Sequence, residues 1–333
     1  MSRAAGGGAG RNVGGGVRGG ASEGGDEDGT EDKRFGSGGA LLVVGDVVTD
    51  VVARHRAPLA PATDTAADIR TLPGGAGANV ACWAAYSGLA DVRLLARVGA
   101  DAGAWHEERL RRARVRPQVV LDEEAVTATV ISLVDAAAER TFLTDSGAAL
   151  RLSPADWSAS FLDGVAHLHL SGYLFFADTS RRTARLALLE ARKRGVTVSV
   201  DPASAGFIAG LGAGRFLEAA AGADVLLPNA DEARLLTGLP EAADAAAELS
   251  RRFPLVAVTL GSGGALLAAA GSVRDRVPAT LVEAVDSTGA GDAFSGAFLA
   301  ARLAGADDAQ AAAAGCAAGA HAVTVVGGRP PLP

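Results

Sequence analysis

Short apolar segments alternate with helix-like segments along most of the chain, and this alternation constrains the fold more than any other feature. The apolar segments are almost continuous, as in strands buried on both faces. The strand candidates are Leu41–Gly45, Val92–Val98, His167–Ser171, Val196–Asp201, Val225–Leu227 and Leu255–Leu260. Helical patterns include Asn79–Ser87, Ala102–Arg112, Ser180–Arg194, Asp231–Leu236, Ala242–Arg252 and Ala290–Leu303. We therefore predict a doubly wound α/β fold, a mostly parallel sheet with helices on both faces and ligands bound at the strands' carboxyl ends.

The N-terminal segment differs in composition from the rest of the chain. Residues 1–39 contain 15 glycines and the acidic stretch SEGGDEDGTED, with few apolar side chains. Such a segment buries too little surface to offset its chain entropy. We predict a disordered tail, followed by one folded domain over 40–333.

Two further segments interrupt the alternation. Val51–Leu72 is long, polar and non-helical, whereas Val126–Asp145 alternates with period two and turns near Asp135–Glu139, which predicts a hairpin. Together they predict a small β-sheet lid, formed by about 47–72 and 115–145. A pair of ordinary surface insertions is the alternative interpretation.

Composition excludes several classes of protein. With a net charge of −7, the chain offers a nucleic-acid partner no electrostatic support. We find no apolar run long enough to cross a membrane and no apolar core of a secretory signal, so we expect a cytoplasmic protein. Cys82 and Cys316 lie in Ala-rich apolar segments, which favours buried thiols in a reducing compartment over a disulfide or metal site. The five histidines show no metal-ligand spacing.

The stretch DSTGAGD, at 286–292, begins a predicted helix and is the strongest candidate for chemistry. Gly289, Ala290 and Gly291 are small, so their amides can converge on an anion at the helix N-terminus. Asp292 can then accept a proton from a substrate hydroxyl. The alternative is that Asp292 only caps its helix.

Three other stretches are weaker when each is taken alone. In RTLPGGAGANV, paired glycines precede Asn79, for which a simple helix N-cap is the favoured interpretation. In LLPNADE, Asn229 and Glu232 share one face of a starting helix; they suit either a hydrated Mg²⁺ or an N-cap with an acidic first turn. The stretch VAVTLGSGG predicts a strand followed by a glycine turn.

These four stretches, in this order, resemble the ribokinase (PfkB) family of sugar and nucleoside kinases. The resemblance extends from Ala40 to Pro333 and implies a doubly wound domain with a β lid over the sugar. It also implies roles for individual residues. Asp292 matches the catalytic base and Gly289, Ala290 and Gly291 the anion hole; the substrate contacts match Asp50, Gly74, Gly75, Asn79 and Asp145; the nucleotide contacts match Asn229, Glu232, Thr259, Gly261 and Gly263.

The resemblance also implies metal ions. Mg²⁺ is expected near Glu232, and K⁺ at positions that match Asp286, Thr288, Ala322, Val325 and Gly327, mostly through main-chain oxygens. Pro331 stands where ribokinases often offer a hydroxyl to the K⁺. The chain stops at GGRPPLP, without the final helix of many members, as a truncated or a naturally short chain would.

The expected function is transfer of the γ-phosphoryl group of ATP to a primary hydroxyl of a small sugar. Ala76 replaces the lysine of the ribokinase GGKGAN motif, which weakens ribose as the specific substrate, so a fructose-like sugar stays open. A nucleoside kinase, marked by a larger apolar pocket under the lid, and a non-catalytic sugar-sensing protein are the alternatives. The alternating lid strands are compatible with a homodimer.

Overall fold

The computed structural model describes residues 38–136 and 139–332, so the N-terminal tail predicted over 1–39 lies almost entirely outside the described residues. The strands are β1 Ala40–Val44, β2 Val48–His55, β3 Ala67–Gly74, β4 Val92–Gly99, β5 Val115–Asp122, β6 Ala128–Val134, β7 Arg140–Asp145, β8 Val165–Ser171, β9 Thr197–Asp201, β10 Val225–Leu226, β11 Leu255–Thr259, β12 Ala265–Ala269 and β13 Ser272–Val277. The α-helices are α1 Ala76–Tyr86, α2 Gly103–Arg112, α3 Asp178–Lys193, α4 Ala205–Leu211, α5 Ala213–Ala219, α6 Ala230–Thr237, α7 Ala242–Leu249, α8 Ala290–Leu303 and α9 Asp308–Ala322.

Nine strands form the large sheet, in the order β13-β12-β11-β10-β9-β8-β1-β4-β5. The strands from β11 to β5 are parallel to their neighbours, and β12 and β13 extend one edge in antiparallel pairs. The order reverses at β1, which pairs with β4 on one side and β8 on the other. This switch point opens a crevice beyond the carboxyl ends of β1 and β8.

Apolar cores fill both faces of the large sheet. Alternate residues of β1 point into different cores: Leu41 and Val43 pack with α1, α8 and α9, while Leu42 and Val44 pack with α3 to α7. All four side chains are fully buried. The predicted mostly parallel sheet with helices on both faces is therefore confirmed.

The second sheet is the predicted lid, with four strands in the order β3-β2-β6-β7. The hairpin expected over 126–145 is confirmed as β6 and β7, and the polar, non-helical segment expected within the lid forms β2 and β3. The expected lid segment of about 115–145 begins too early. Residues 115–122 are β5, which pairs along its whole length with β4 and so extends the large sheet.

The start of helix α1 and the length and apolarity of the helices also bear on predictions made from the sequence. Helix α1 begins at Ala76 rather than at Asn79, because the glycine pair before it supplies the N-cap residue Gly75 with a positive φ. Among the described residues, no helix combines the length and apolarity that crossing a bilayer requires.

Candidate active site

A cavity of about 550 Å³ lies beyond the carboxyl ends of the parallel strands. Four strands of the parallel sheet each deliver a polar residue to its wall: Asp46 follows β1, Asp201 ends β9, Asn229 follows β10 and Thr259 ends β11. Parallel strands end at one edge of a sheet, so residues far apart in sequence meet here. The lid closes the other side with the inner faces of β2, β6 and β7.

Helix α8 begins inside this cavity and carries Asp292 in its first turn. Its N-cap, Gly289, has a φ of 75°, and a Cβ there would lie 2.5 Å from the Cα of Gly328. Only glycine fits that turn. The amides of Gly291 and Asp292 have no backbone acceptor among the described residues, and the amide of Ala290 makes only a long bond of 3.4 Å. These N–H groups form a cradle for an anion.

Asn79 of α1 holds the Asp292 carboxylate. Its Nδ2 donates to Oδ2 of Asp292 at 2.8 Å, across 213 positions of sequence. The two helices approach closely because Gly296 lies one turn after Asp292, where a Cβ would be 2.5 Å from the backbone oxygen of Val80. The structure thus contradicts both simple capping interpretations: Asn79 lies inside its helix, and the Asp292 side chain caps nothing.

Several carboxyl groups share this end of the cavity. Burial raises the pKa of Asp292 well above its usual range; the charge of Asp201 adds to the shift, and the bond from Asn79 opposes it. Burial likewise raises the pKa of Asp201 to about 6, although Ser295 Oγ and the amide of Ala203 donate to it. A cation bound here would relieve the repulsion between these groups.

Asn229 and Glu232 open helix α6 as a capping box. The Asn229 Oδ1 accepts from the Glu232 amide, and the Glu232 Oε2 accepts from the Asn229 amide, both at 2.9 Å. The N-cap interpretation is therefore confirmed, yet both side chains also line the cavity. Burial, followed by the charge of Asp201, raises the pKa of Glu232 to about 8. A carboxylate and an amide oxygen at the wall of a cavity are hard donors of the kind that Mg²⁺ takes.

Asp50 lies on β2, on the lid face that lines the cavity. It packs against Gly74 so closely that a Cβ there would come within 2.0 Å of Oδ2. Burial raises the pKa of Asp50 to about 7, and the charge of Arg329 opposes that shift. Arg329 reaches the same place from the last turn of the chain, where its Nη2 donates to the backbone oxygen of Gly74.

A second cavity, of about 330 Å³, adjoins the first. Gly261 of the turn after β11 lines it, opposite the apolar residues Leu281 and Phe294. The two cavities share Thr259, Ser287, Ala290 and Gly291, so they meet at the N-terminus of α8. Gly263 belongs to the same turn, within the β11–β12 hairpin expected from the glycine-rich stretch.

The remaining predicted positions lie at the edges of the site. Gly75 lines the first cavity, and Asp145 lines it at the exposed end of β7, where Oδ1 accepts from the Gly147 amide. The Asp286 carboxylate accepts from the amides of Thr288 and Gly327. All three residues are expected K⁺ positions, and these bonds hold them together. Ala322 ends α9, and Val325 follows it. Among the described residues, no group of three or more His, Cys, Asp or Glu side chains is placed to hold a metal ion.

Sequence reasoning missed four residues that the structure places at the site. Asp46 binds the amides of Ala76 and Gly77 and the Ser171 hydroxyl, so it fixes α1 to the sheet. Asp46 follows a predicted strand, Asp201 ends one, and Tyr173 lies in a 3₁₀ turn two residues after another, so their position at strand ends was a usable signal. Arg329 lies in an irregular segment, where the sequence offers no such signal.

The fold of the chain, with its large sheet and β lid, is shared with known proteins. The solved structure of adenosine kinase from Sinorhizobium meliloti superimposes with a TM-score of 0.80, at 24% identity, over 88% of this chain and 96% of that one. Fructokinase of Klebsiella pneumoniae is 34% identical over 278 residues, 79% of this chain and 84% of its own length. Mouse (Mus musculus) ribokinase is 30% identical over 271 residues, 78% of this chain and 80% of its own length.

These likenesses define a small-molecule kinase with a ribokinase-like fold. Residues 40–333 match the family model described as pfkB family carbohydrate kinase. The chain belongs to the PfkB family of carbohydrate kinases.

Proposed function

We propose that this protein transfers the γ-phosphoryl group of ATP to a primary hydroxyl of a sugar, either free or as part of a nucleoside. The observation that supports this most is the meeting of two cavities at the N-terminus of α8. A donor in the smaller cavity, with its phosphates reaching Asn229 and Glu232 in the adjoining part of the larger one, would face an acceptor in the rest of the larger cavity across the free amides and Asp292. Phosphoryl transfer depends mainly on such positioning and on electrostatic stabilisation.

In this proposal Asp292 is the general base. Its carboxylate orients the acceptor hydroxyl and takes its proton, and the bond from Asn79 holds the carboxylate in place. The amides of the turn over 289–292 stabilise charge on the transferred group. Asp50, with Gly74, Gly75 and Asn79 beside it, binds hydroxyls of the acceptor, and Asp145 closes the lid end of that site.

Asn229, Glu232, Thr259, Gly261 and Gly263 form the donor side. Glu232 would hold Mg²⁺ directly or through water, and the ion would neutralise the phosphates. The raised pKa of Glu232 supports this assignment, because a carboxyl group that resists ionisation gains most from a nearby cation.

K⁺ would lie beside the cradle, at Asp286, Thr288, Ala322, Val325 and Gly327. The bonds from the Thr288 and Gly327 amides to Asp286 support this, since they already draw two parts of the site together. Pro331 offers no hydroxyl, so we expect weaker K⁺ dependence than a complete ligand set would give.

We also propose a cytoplasmic location, which the unpaired buried cysteines Cys82 and Cys316 support.

The exposed face of the lid supports a homodimer. The lid strands expose Ile69 and Leu143 on the face away from the cavity, each with more than half of its surface accessible. An exposed apolar sheet face is typical of an interface. Light scattering would show twice the chain mass for a dimer, and Ile69→Asp should restore the monomer.

A coupled ADP-release assay tests the function. Purified protein, Mg²⁺ and ATP are incubated with pentoses, hexoses, keto-deoxy acids and nucleosides, with KCl or NaCl. Acceptor-dependent ADP release supports the proposal, and faster release with KCl supports the K⁺ site. ATP binding without turnover on any acceptor would favour the non-catalytic sensing alternative.

A further inference from the structure

The wall of the acceptor cavity combines polar and apolar side chains. Asp50 and Asn79 lie near Asp292, and Val130, which pairs with Asp50 across the lid strands, lines the cavity with Leu150 and several aromatic rings. A free monosaccharide carries hydroxyls around its whole ring. Those that face an apolar wall would lose hydrogen bonds to water without gaining partners.

Aromatic side chains line the cavity from two separate parts of the fold. Phe142 comes from the lid, on the face of β7 that points inward, and 55% of its surface is exposed. Phe207 and Tyr173 come from the large domain, and their rings meet edge to face with centroids 5.6 Å apart. Exposed aromatic rings inside a cavity are apolar surfaces that a ligand can cover.

The domain side of this wall is a rigid platform. The Phe207 ring stacks on that of Phe176 with centroids 5.1 Å apart, and the Phe176 ring stacks on that of Phe216 with centroids 6.5 Å apart. Phe216 and Phe175 are fully buried and contact each other. Because the core holds Phe207 from behind, its exposed surface is available to a ligand at little entropic cost.

The size of the cavity points the same way. The larger cavity, of about 550 Å³, is in the range of pockets that enclose drug-sized ligands, and the donor side takes only the part of it near Asn229 and Glu232, because the second cavity of about 330 Å³ lies beside it. We infer that the acceptor is a nucleoside: its sugar lies at Asp50 and Asn79, and its planar base lies against Phe207, Tyr173 and the lid residue Phe142. This inference names the substrate class of the proposed function and rests on it.

Binding and turnover are measured separately, so that the two proposals fail in different ways. Calorimetry measures adenosine, uridine and free ribose binding in the presence of saturating Mg²⁺ and a non-hydrolysable ATP analogue, which keeps nucleosides out of the nucleotide cavity. ADP release measures turnover of the same compounds. Phe207→Ala and Phe142→Ala are compared with Leu189→Ala, a half-exposed residue of α3 outside both cavities, and with Phe207→Trp, which keeps an aromatic surface.

We expect nucleosides to bind more tightly than ribose, and each alanine variant at the wall to weaken nucleoside binding about 10- to 100-fold. Ribose binding should not change, Leu189→Ala should match the parent, and Phe207→Trp should retain most of the affinity. Ribose or fructose binding as tightly as any nucleoside would overturn the inference, as would unchanged nucleoside affinity in both alanine variants. Phe207-dependent nucleoside binding without ADP release would support the inference and contradict the kinase proposal.

Discussion

Helices α6 and α8 both begin at the site with an acidic residue in the first turn, and they use it in opposite ways. In α6 the Glu232 carboxylate returns to its own N-cap, so the capping box satisfies the backbone amides. In α8 the Asp292 carboxylate turns away to Asn79, and the amides behind it stay free. A capped end is stable, whereas an open end costs stability but can bind a ligand.

The most direct test of this difference is to neutralise an acidic residue in the first turn of each helix. Asp292→Asn should lower turnover by about 10²- to 10⁴-fold, because the amide cannot take a proton. The fold should be kept, since the substitution removes a carboxyl group that burial makes hard to ionise. ADP release and thermal unfolding measure the two effects.

Asp231→Asn is the matched control. Asp231 also lies in the first turn of α6, but its side chain is exposed and pairs with Arg234. It should keep parental turnover. If Asp292→Asn retained the parental rate, Asp292 would not be the base and α8 would differ from α6 only in its capping.

Substitutions of Glu232 can separate its role in helix capping from its proposed role in binding Mg²⁺. Glu232→Gln keeps an oxygen that can accept from the Asn229 amide, so the capping box and the melting temperature should survive. Loss of the charge should raise the Mg²⁺ concentration needed for half-maximal turnover by about 10- to 100-fold. Titration of activity with MgCl₂ measures this.

Glu232→Ala provides the complementary result, because it removes both the carboxylate that accepts from the Asn229 amide and the charge. It should show the same Mg²⁺ defect and a lower melting temperature as well. An unchanged Mg²⁺ requirement in both variants would mean that Glu232 serves only its helix.

The clustered carboxyl groups predict an unusual pH dependence of stability. Folding raises the pKa of Asp201 to about 6, of Asp50 to about 7 and of Glu232 to about 8. Burial lowers the pKa values of His106, His167 and His169, so these side chains release protons on folding below about pH 6.5 and oppose the carboxyl groups there. Above that pH the native state binds more protons than the unfolded chain, so stability should fall as pH rises from about 6.5 to about 8. Melting curves of the ligand-free protein at several pH values test this.

A substitution within the cluster of carboxyl groups makes this test more specific. Asp201→Asn removes one raised pKa and lowers that of Glu232, so its melting temperature should fall less steeply with pH. Binding of Mg²⁺ and nucleotide should flatten the parental curve for the same reason. A melting temperature that rises steadily from about pH 6.5 to pH 8 would contradict the charge cluster.

Most of the architecture follows from local patterns in the sequence. Buried parallel strands are continuously apolar, so the alternation of strands and helices predicts the large sheet and the edge where ligands bind. The lid was harder to place. β5 belongs to the large sheet although it directly precedes a lid strand, and pairing partners are set by tertiary contacts that a single segment does not encode.

The site was only partly accessible to the same reasoning. The stretch containing Asp292 and the stretch containing Asn79 each stood out, but their contact depends on a helix crossing at Gly296. Arg329 reaches Gly74 from a segment with no periodic pattern. Such contacts join segments that are far apart in sequence, so they become visible only in the folded chain.

The smallest expected effects come from the capping boxes at the starts of helices α6 and α9. Asn229 caps α6 at the site, and Asp307 caps α9, where its Oδ1 accepts from the Gln310 amide at 2.7 Å. Asn229→Ala and Asp307→Ala should each lower the free energy of unfolding by about 1 kcal/mol, because each removes one cap. Chemical denaturation measures both.

Only Asn229→Ala should also raise the KM for ATP, since Asp307 lines neither cavity whereas Asn229 lines the larger one. Equal losses of stability with unequal losses of ATP affinity would show that α6 combines a structural cap with ligand binding. Equal stability losses with unchanged KM in both variants would instead make α6 an ordinary capped helix. The free amides of α8 would then be the only helix-end contribution to phosphate binding in the proposal.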